Sequence, residues 1–245
     1  MLGPGNLAMD GAELSTITVD SYTTLVDVDA QEAVLTEYVD GLSAPESVSR
    51  TWRSRAIQYT MIANDIDAYR PFSDLLGLAL DYALQSHGHD IEPSTRAEIR
   101  TTVYEERLAV FDDVQPGLER LVEMGYPVYI LSNGDPTMLQ HLIDAASLDG
   151  IVSGAISADG VRIYKPDPGI YRHAADQTGT DIGEILHVSG GSMRDVWGAK
   201  HAGMRTAWVN RPAKHFPRES LGMEPDMEVE SFLDLADRLT ASSEP

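Results

Sequence analysis

The spacing of apolar residues divides the chain into a helical stretch and an alternating stretch. A short β-branched strand is predicted at residues 16–19. Apolar positions then recur every three or four residues, which predicts helices over residues 52–64, 72–86 and 94–110. Proline or glycine separates these helices. We interpret residues 29–112 as a helical insertion after the first strand.

Beyond Pro116 and Gly117, short apolar runs alternate with helical periodicity. Strands are predicted over residues 128–131, 155–156, 185–188 and 206–209. Helices are predicted over residues 118–124, 137–146, 170–178, 196–202 and 232–240. This alternation is typical of an α/β fold with a Rossmann-like parallel sheet and crossover helices. The predicted core comprises residues 1–28 and 113–245, and residues 29–112 form an inserted helical cap domain.

Composition narrows the class of protein. The 245 residues include 39 acidic and 18 basic ones, for a formal charge of −21, and no cysteine. Nucleic acid and anionic membranes are excluded as partners because phosphate binding needs a basic footprint. No apolar run reaches the ~18 residues that span a bilayer. Residues 1–15 resemble a loose leader without secretory pattern, with Met9 as a possible internal start. We therefore expect a cytoplasmic protein.

Lysine is scarce, with three residues in the whole chain. Acid-rich, lysine-poor surfaces are typical of salt-loaded cytoplasms, where molar salt screens charge repulsion beyond ~3 Å. An ordinary acidic bacterial protein is the alternative. We predict a halophilic protein whose free energy of unfolding rises with added salt. Chemical unfolding measured from low to molar NaCl checks this, and full stability without added salt would contradict it.

Reactive side chains follow several predicted strands. Asp20 follows the first strand, and Ser132 and Asn133 follow the second. Lys165 stands before a proline, and Asp195 lies on a loop rich in glycine and serine. In parallel sheets the functional crevice lies beyond the carboxyl ends of the strands. Any one of these residues could be a helix cap or a surface group, but several at successive rim positions indicate a site.

Four motifs in this order resemble the haloacid dehalogenase superfamily. They are Asp-x-x-x-Thr-Leu from Asp20, Leu-Ser-Asn-Gly from Leu131, Tyr-Lys-Pro from Tyr164, and the late Asp195. The pair Trp52-Arg53 and the closing residues 208–211 are similar to the hydrolytic L-2-haloacid dehalogenases (type II). The resemblance extends from about Ile17 to the chain end. It implies conversion of short L-2-haloacids into D-2-hydroxyacids and halide through an aspartyl ester.

The resemblance also implies roles for particular residues. Asp20 is the expected nucleophile, which requires a desolvated, in-line carboxylate. Lys165 is expected to pair with Asp20, while Asp195 pairs with Lys165 and helps activate the hydrolytic water. Arg53 from the cap is expected to receive the halide and steer the anionic substrate. The other implied catalytic residues are Thr24, Ser189 and Tyr171, and the other substrate-binding residues are Ser132, Asn133, Tyr22, Ile57 and Phe72.

Each assignment has a structural alternative. Arg53 could be a solvated helix charge, and Asp195 could cap the helix predicted from residue 196. A structural role is about as consistent with the sequence for five further residues, namely Ile57, Phe72, Thr24, Ser189 and Tyr171. The constellation as a whole favours the functional interpretation.

The first motif argues against metal chemistry. By resemblance, phosphatases of the superfamily have the motif Asp-x-Asp at the first strand, whereas this chain has Tyr22 at the position of the second aspartate. Gly190 stands where the phosphatases commonly place another acidic residue. Mg²⁺ requires several oxygen ligands, and two carboxylates beside Lys165 form a poor site. We therefore expect neither a metal nor another cofactor. A Mg²⁺-dependent phosphatase and a catalytically weak anion-binding protein are the alternatives.

The chain departs from the dehalogenase pattern in three places. The chain is one residue longer between Ser189 and Asp195, and its run of residues 189–192 lacks the asparagine that supports the water, for which Ser192 is a possible substitute. Thr23 stands in place of a glycine, and Ser54 in place of a cap glutamine. These changes leave the nucleophile intact and bear on turnover and substrate size. Similar proteins are often homodimers, so we expect a homodimer.

Overall fold

The computed structural model of the protein describes residues 14–27, 31–211, 216 and 222–242. Most of the leader predicted for residues 1–15, including Met9, lies outside the described residues. In the part of the chain that is described, no helix combines the length and the apolar character needed to cross a membrane.

The centre of the fold is a parallel sheet. Strands in the described residues are β1 (Thr16–Val19), β2 (Val26–Asp27), β3 (Ala109–Val110), β4 (Val128–Ser132), β5 (Gly154–Ser157), β6 (Ile185–Ser189), β7 (Arg205–Val209) and β8 (Met227–Val229). Six of them pair in the order β5-β4-β1-β6-β7-β8. Ile17 of the central strand β1 lies opposite Val128 on one side and Leu186 on the other. The predicted α/β class is therefore confirmed.

Helices cover both faces of this sheet. The α-helices in the described residues are α1 (Gln31–Tyr38), α2 (Pro45–Asp65), α3 (Phe72–Ser86), α4 (Pro93–Thr101), α5 (Val114–Glu123), α6 (Pro136–Ala145), α7 (Pro168–Thr178), α8 (Met193–Ala202) and α9 (Phe232–Ser242). Side chains alternate between the faces of a strand. Accordingly, Ile130 joins a cluster with residues of α5 and α9, while the adjacent Leu131 joins one with residues of α7 and α8. Such two-sided burial explains why the strands have nearly continuous apolar sequences.

The helices between β2 and β3 form the cap above the sheet. Helices α2 and α3 pack closely around the fully buried Trp52. Its indole Nε1 donates a hydrogen bond to the Leu76 carbonyl at 2.8 Å, so this large apolar ring also has its polar atom satisfied. Val26 pairs with Val110 in an antiparallel ladder where the chain leaves and re-enters the core. The proposed domain limits, residues 28/29 and 112/113, stay a prediction.

The predicted helix over residues 94–110 was wrong in its second half. Helix α4 ends at Thr101, a π-helical turn follows over Thr102–Glu106, and Ala109 and Val110 belong to β3. The local apolar spacing could not reveal this end because the strand is fixed by its distant partner β2. Helix α2 begins earlier than predicted, with Pro45 in its first turn, a position that proline favours.

Candidate active site

The carboxyl ends of β1, β4 and β6 face a cavity of about 290 Å³ whose other wall comes from α2 and α3. This volume is at the small end of the range for small-molecule sites, ~300–1,000 Å³. Nine predicted site residues line it: Asp20, Lys165, Asp195, Arg53, Ser132, Asn133, Tyr22, Ile57 and Phe72. The three other predicted residues, Thr24, Ser189 and Tyr171, are fully buried and do not line the cavity.

Lys165 joins two carboxylates at the floor of the cavity. Its Nζ lies 3.0 Å from Asp20 Oδ1 and 3.3 Å from Asp195 Oδ1. All three side chains are buried. Burial opposes the charged ammonium, but Asp195 and Asp20 outweigh that effect and raise the pKa of Lys165. The lysine therefore stays charged and fixes both carboxylates.

Asp195 differs from an ordinary aspartate in its acidity. Burial raises the pKa of Asp195 to about 6, Lys165 opposes the rise, and the negative charge of Asp20 adds to it. A carboxylate whose pKa is close to neutral binds a proton more readily than a solvated one. Asp195 is therefore suited to accept a proton from water during catalysis.

Thr24 fixes the second oxygen of Asp20. Its Oγ1 donates to Asp20 Oδ2 at 2.7 Å and accepts a hydrogen bond from the Gly190 backbone N–H at 3.0 Å. The Thr24 carbonyl in turn accepts hydrogen bonds from the buried Arg211 guanidinium, at 2.6 and 3.0 Å. Each Asp20 oxygen thus has a fixed donor, and the carboxylate is held in one orientation.

Ser189 and Tyr171 contact Asp195. The Ser189 hydroxyl donates to Asp195 Oδ2 at 3.3 Å, and the Tyr171 hydroxyl donates to the Asp195 backbone carbonyl at 3.3 Å. Tyr171 therefore affects Lys165 indirectly, because it contacts Asp195, which forms the ion pair with Lys165. The alternative of Asp195 as a helix N-cap was wrong, because Ser192 caps α8 and accepts from the Arg194 backbone N–H. Helix α8 therefore begins at Met193, upstream of the start predicted at residue 196.

Ser132 and Asn133 support the other side of the floor. Ser132 Oγ lies 2.6 Å from Ser21 Oγ and accepts from the Gly134 backbone N–H at 2.9 Å. Asn133 Oδ1 accepts from the Lys165 backbone N–H at 2.9 Å, which fixes the lysine loop. These bonds hold two polar side chains at the cavity surface, where an anion could bind.

The cap wall of the cavity is largely apolar. Arg53, Ala56, Ile57 and Thr60 occupy one face of α2 at helical spacing. Tyr22 meets this wall from the core. Its ring lies edge-on to the Tyr104 ring at 5.3 Å, and its hydroxyl donates to the Tyr104 carbonyl at 3.0 Å. Burial raises the pKa of Tyr22, so the phenol stays neutral.

Several lining residues were not predicted from the sequence. They include Thr60, Leu76, Tyr104 and Arg194. Thr60 could have been found from its spacing to Arg53 and Ile57 on a predicted helix. Tyr104 comes from the π-helical turn, and no local signal marks its approach to Tyr22.

Thr23 and Gly191 share one space at the edge of the cavity. Thr23 has a left-handed backbone with φ of 70°, which is strained for a β-branched residue. A Cβ at Gly191 would overlap Thr23 Oγ1 and lie 2.7 Å from Thr23 Cβ. The threonine that replaces a glycine on one loop thus requires a glycine on the facing loop.

Replacing Gly191 with alanine is expected to destabilise the protein by ~1–3 kcal/mol, because the added methyl overlaps Thr23. Adding Thr23→Gly should remove most of that cost. The coupling is expected to be on the order of 1–3 kcal/mol in a double-mutant cycle of chemical unfolding. Gly77→Ala is the control, because a Cβ there meets nothing within 4 Å. Additive effects of the two substitutions would contradict the shared space.

The donor set does not fit a divalent cation. In the described part of the chain, no group of three or more His, Cys, Asp or Glu side chains is placed to hold a metal ion. The Lys165 ammonium forms ion pairs with both carboxylates at the floor, so a positive charge already lies between Asp20 and Asp195. Hard cations require several oxygen ligands with net negative charge. No step proposed below uses a metal.

The fold and the site define a capped α/β protein with a lysine-bridged pair of carboxylates at its sheet rim. The chain belongs to the haloacid dehalogenase-like hydrolase family, which matches residues 14–203. It is 34% identical over 192 residues to (S)-2-haloacid dehalogenase 4A of Burkholderia cepacia, covering 78% of this chain and 81% of that one.

Two further comparisons cover more of the chain. The (S)-2-haloacid dehalogenase of Pseudomonas sp. strain YL is 32% identical over 216 residues, or 88% of this chain and 90% of that one. The structure of L-2-haloacid dehalogenase from Xanthobacter autotrophicus with chloropropionic acid covalently bound has a TM-score of 0.83 and 28% identity. That match covers 94% of this chain and 100% of the other.

Proposed function

We propose that this protein hydrolyses the carbon–halogen bond of short L-2-haloacids, releasing halide and a D-2-hydroxyacid without a metal. The proposal depends on one observation, the buried Asp20 carboxylate held by Lys165 and Thr24 in a cavity that Arg53 also lines. A carboxylate that is desolvated and oriented is a competent nucleophile toward carbon. The named dehalogenase relatives support the same reaction.

The first proposed step forms an ester. Asp20 attacks carbon 2 of the substrate opposite the halogen, a C–O bond forms, and the halide leaves with the bonding electrons of the broken carbon–halogen bond. Arg53 receives the halide, because a guanidinium is permanently charged and weakly hydrated. Ser132 and Asn133, with neighbouring backbone amides, bind the substrate carboxylate. The carbon is inverted once, so an L-haloacid gives a D-hydroxyacid.

The second proposed step hydrolyses the ester. Water attacks the Asp20 carboxyl carbon while Asp195 accepts its proton. The bond from that carbon to the ester oxygen, which Asp20 supplied in the first step, then breaks. This oxygen leaves on carbon 2 of the substrate and takes a proton to give the hydroxyacid. Asp20 is restored as carboxylate with one oxygen from water, and one proton is released overall. Ser189 and Tyr171 act as positioning residues for Asp195 through the hydrogen bonds described above.

Bromide release from 2-bromopropionate tests the proposal. The assay is run in molar NaCl, with and without EDTA, alongside phosphate release from a phosphate monoester with Mg²⁺. We expect bromide release that EDTA does not change and that is confined to the L-enantiomer. Mg²⁺-dependent phosphate release without bromide release would instead identify a phosphatase. Anion binding with neither reaction would identify a binding protein.

The position of the new oxygen tests the mechanism. A single turnover in ¹⁸O-labelled water, with enzyme in excess, should leave the heavy oxygen in Asp20 rather than in the hydroxyacid. Mass spectrometry of the peptide that contains Asp20 measures the label. A light side chain with labelled product would show direct attack of water on the substrate and would reject the ester.

Turnover should depend on the ionisation of Asp195. Its pKa of about 6 lies above the ordinary value of 3.8, so the carboxylate form predominates only above that pH. We expect kcat for 2-bromopropionate to fall about tenfold per pH unit below the pKa that Asp195 has in the ester. That pKa lies below about 6, because esterified Asp20 no longer carries the negative charge that helps to raise it. A profile that stays flat from about pH 7 down to about pH 4 would contradict the role of Asp195 as base.

The Asp195→Asn variant separates the two steps. It keeps the shape of the side chain and removes the base, so we expect one bromide per active site followed by a stalled ester. Continued turnover at the unaltered rate would show that another group accepts the proton.

We also propose a cytoplasmic homodimer, as expected from the sequence. Support for the dimer comes from exposed apolar side chains on the cap, among them Ile66 (67% exposed) beyond α2, and Met61 and Leu78 on α2 and α3. Exposed apolar patches are typical of interaction surfaces. Light scattering coupled to size-exclusion chromatography at high salt measures the mass, and a value near the chain mass of 26.8 kDa would indicate a monomer.

A further inference from the structure

A second arginine lines the cavity without a role in the two steps above. Arg194 lies in the first turn of α8 and is half-buried. Together with Arg53 and Lys165 it supplies the positive charge of the cavity, against the two carboxylates Asp20 and Asp195. In a chain with a formal charge of −21, this cluster of cations is a local exception.

The Arg194 guanidinium has weak partners within the protein. Its Nε donates to Ser192 Oγ at 3.3 Å, and its Nη1 lies 3.8 Å from the Met61 thioether sulfur on α2. A thioether is a weak acceptor, and a guanidinium has five N–H donors. Among the described residues, no carboxylate lies within ion-pair distance of Arg194. Most of its hydrogen-bonding capacity is therefore available to a ligand.

Fold stability does not explain this placement. The first turn of a helix carries the positive end of the helix dipole, which disfavours a cation. Burial lowers the pKa of Arg194, with Asp195 only partly offsetting that effect, so the charged form is held against a desolvation cost. Ser192 holds both the backbone N–H and the Nε of Arg194, which orients the side chain at the cavity.

Charge and space leave room for one more anionic group. Lys165 is shared by two carboxylates, and the proposed reaction uses Arg53 for the halide and Ser132 with Asn133 for the substrate carboxylate. Arg194 remains. The cavity has a volume of about 290 Å³. A three-carbon haloacid fills only part of it.

We propose, on the basis of the dehalogenation proposed above, that Arg194 binds a second carboxylate at the far end of the substrate. The preferred substrates are then 2-halodicarboxylic acids of four or five carbons, such as 2-bromosuccinate. Arg194 is the specificity-determining residue, and Ser192 is its positioning residue. The planar fork of a guanidinium matches a carboxylate with two parallel hydrogen bonds.

Paired substrates of equal carbon number test this proposal. Bromide release from 2-bromosuccinate and from 2-bromobutyrate is compared at one NaCl concentration in the wild type, Arg194→Gln and Arg194→Lys. We expect the wild type to favour 2-bromosuccinate in kcat/KM. Arg194→Gln should lose about 10- to 100-fold more in kcat/KM on 2-bromosuccinate than on 2-bromobutyrate, and the difference should lie mainly in KM. Arg194→Lys should be intermediate. Arg172→Gln, an exposed arginine of α7, controls for net charge.

A binding measurement separates this proposal from the dehalogenation itself. Succinate and butyrate are titrated calorimetrically into the wild type and Arg194→Gln. Succinate should bind more tightly than butyrate only when Arg194 is present. Equal binding of the two acids, or equal losses on both bromoacids in Arg194→Gln, would overturn the second-carboxylate subsite. Succinate binding that depends on Arg194 without bromide release from any acid would support the subsite and reject the dehalogenation.

Discussion

Replacing Asp20 with asparagine is expected to reduce bromide release by a factor on the order of 10⁵ or more. The amide keeps the shape of the side chain, and its oxygen can still accept from Lys165 or Thr24. It cannot act as the anionic nucleophile, so no ester forms. Removal of a covalent nucleophile costs ~10⁶ in other hydrolases. Initial rates of bromide release from 2-bromopropionate measure the effect.

The matched control is Asp144→Asn, the same exchange at an exposed position on α6, which should keep full activity. Thermal unfolding of both variants distinguishes a chemical loss from a folding loss. Asp20→Asn should remain folded and bind unreacted 2-bromopropionate. Bromide release within tenfold of the wild-type rate would exclude Asp20 as the nucleophile.

Much of the sheet and its rim could be predicted from the sequence for a physical reason. Parallel strands buried on both faces are short apolar runs, and β1, β4, β6 and β7 all have this character. Their carboxyl ends must converge on one edge. The side chains at the carboxyl ends of β1 and β4, such as Asp20 and Ser132, therefore could be assigned to one site before any coordinates were known.

The parts that could not be predicted depend on distant partners. The two-residue strands β2 and β3 have no periodicity of their own and exist through their pairing. Tyr104 reaches the cavity because the π-helical turn after α4 directs it there. The fit of Thr23 against Gly191 is a contact between two loops whose sequences are far apart. None of these features leaves a local signal, so the shape of the cavity had to come from the structure.

The site also explains how an acidic protein can bind an anion. The chain as a whole repels a carboxylate, and that repulsion is long-ranged only at low salt. The cations Lys165, Arg53 and Arg194 line the cavity, where screening of short-range interactions by salt is weak. Substrate affinity should therefore depend on these local charges more than on the net charge. Lys165 is the most buried of these three cations. We therefore expect its substitution to have the largest effect on turnover and on the free energy of unfolding.

Replacing Lys165 with methionine is expected to abolish turnover and to lower the free energy of unfolding by ~3–5 kcal/mol near pH 8. The variant leaves Asp20 and Asp195 buried together without a cation, and loss of one partner of a buried ion pair has a cost of this size. Lys200→Met is the matched control. Lys200 pairs with Asp226 at 2.5 Å nearer the surface, where such pairs contribute ~1 kcal/mol or less.

The sign of the pH dependence makes this prediction specific. The pKa of Asp195 is already raised to about 6 and should rise further without Lys165. Between the ordinary aspartate pKa of 3.8 and this new pKa, Asp195 then binds a proton in the folded state but not in the unfolded state. The free energy of unfolding of Lys165→Met must therefore fall as the pH rises from about 4 through the new pKa of Asp195. Chemical unfolding at about pH 5 and pH 8 should show the larger deficit at pH 8, and Asp195→Asn in the same chain should remove that difference without restoring activity. A deficit that is equal at both pH values, or larger at pH 5, would show that Lys165 does not hold the two carboxylates together.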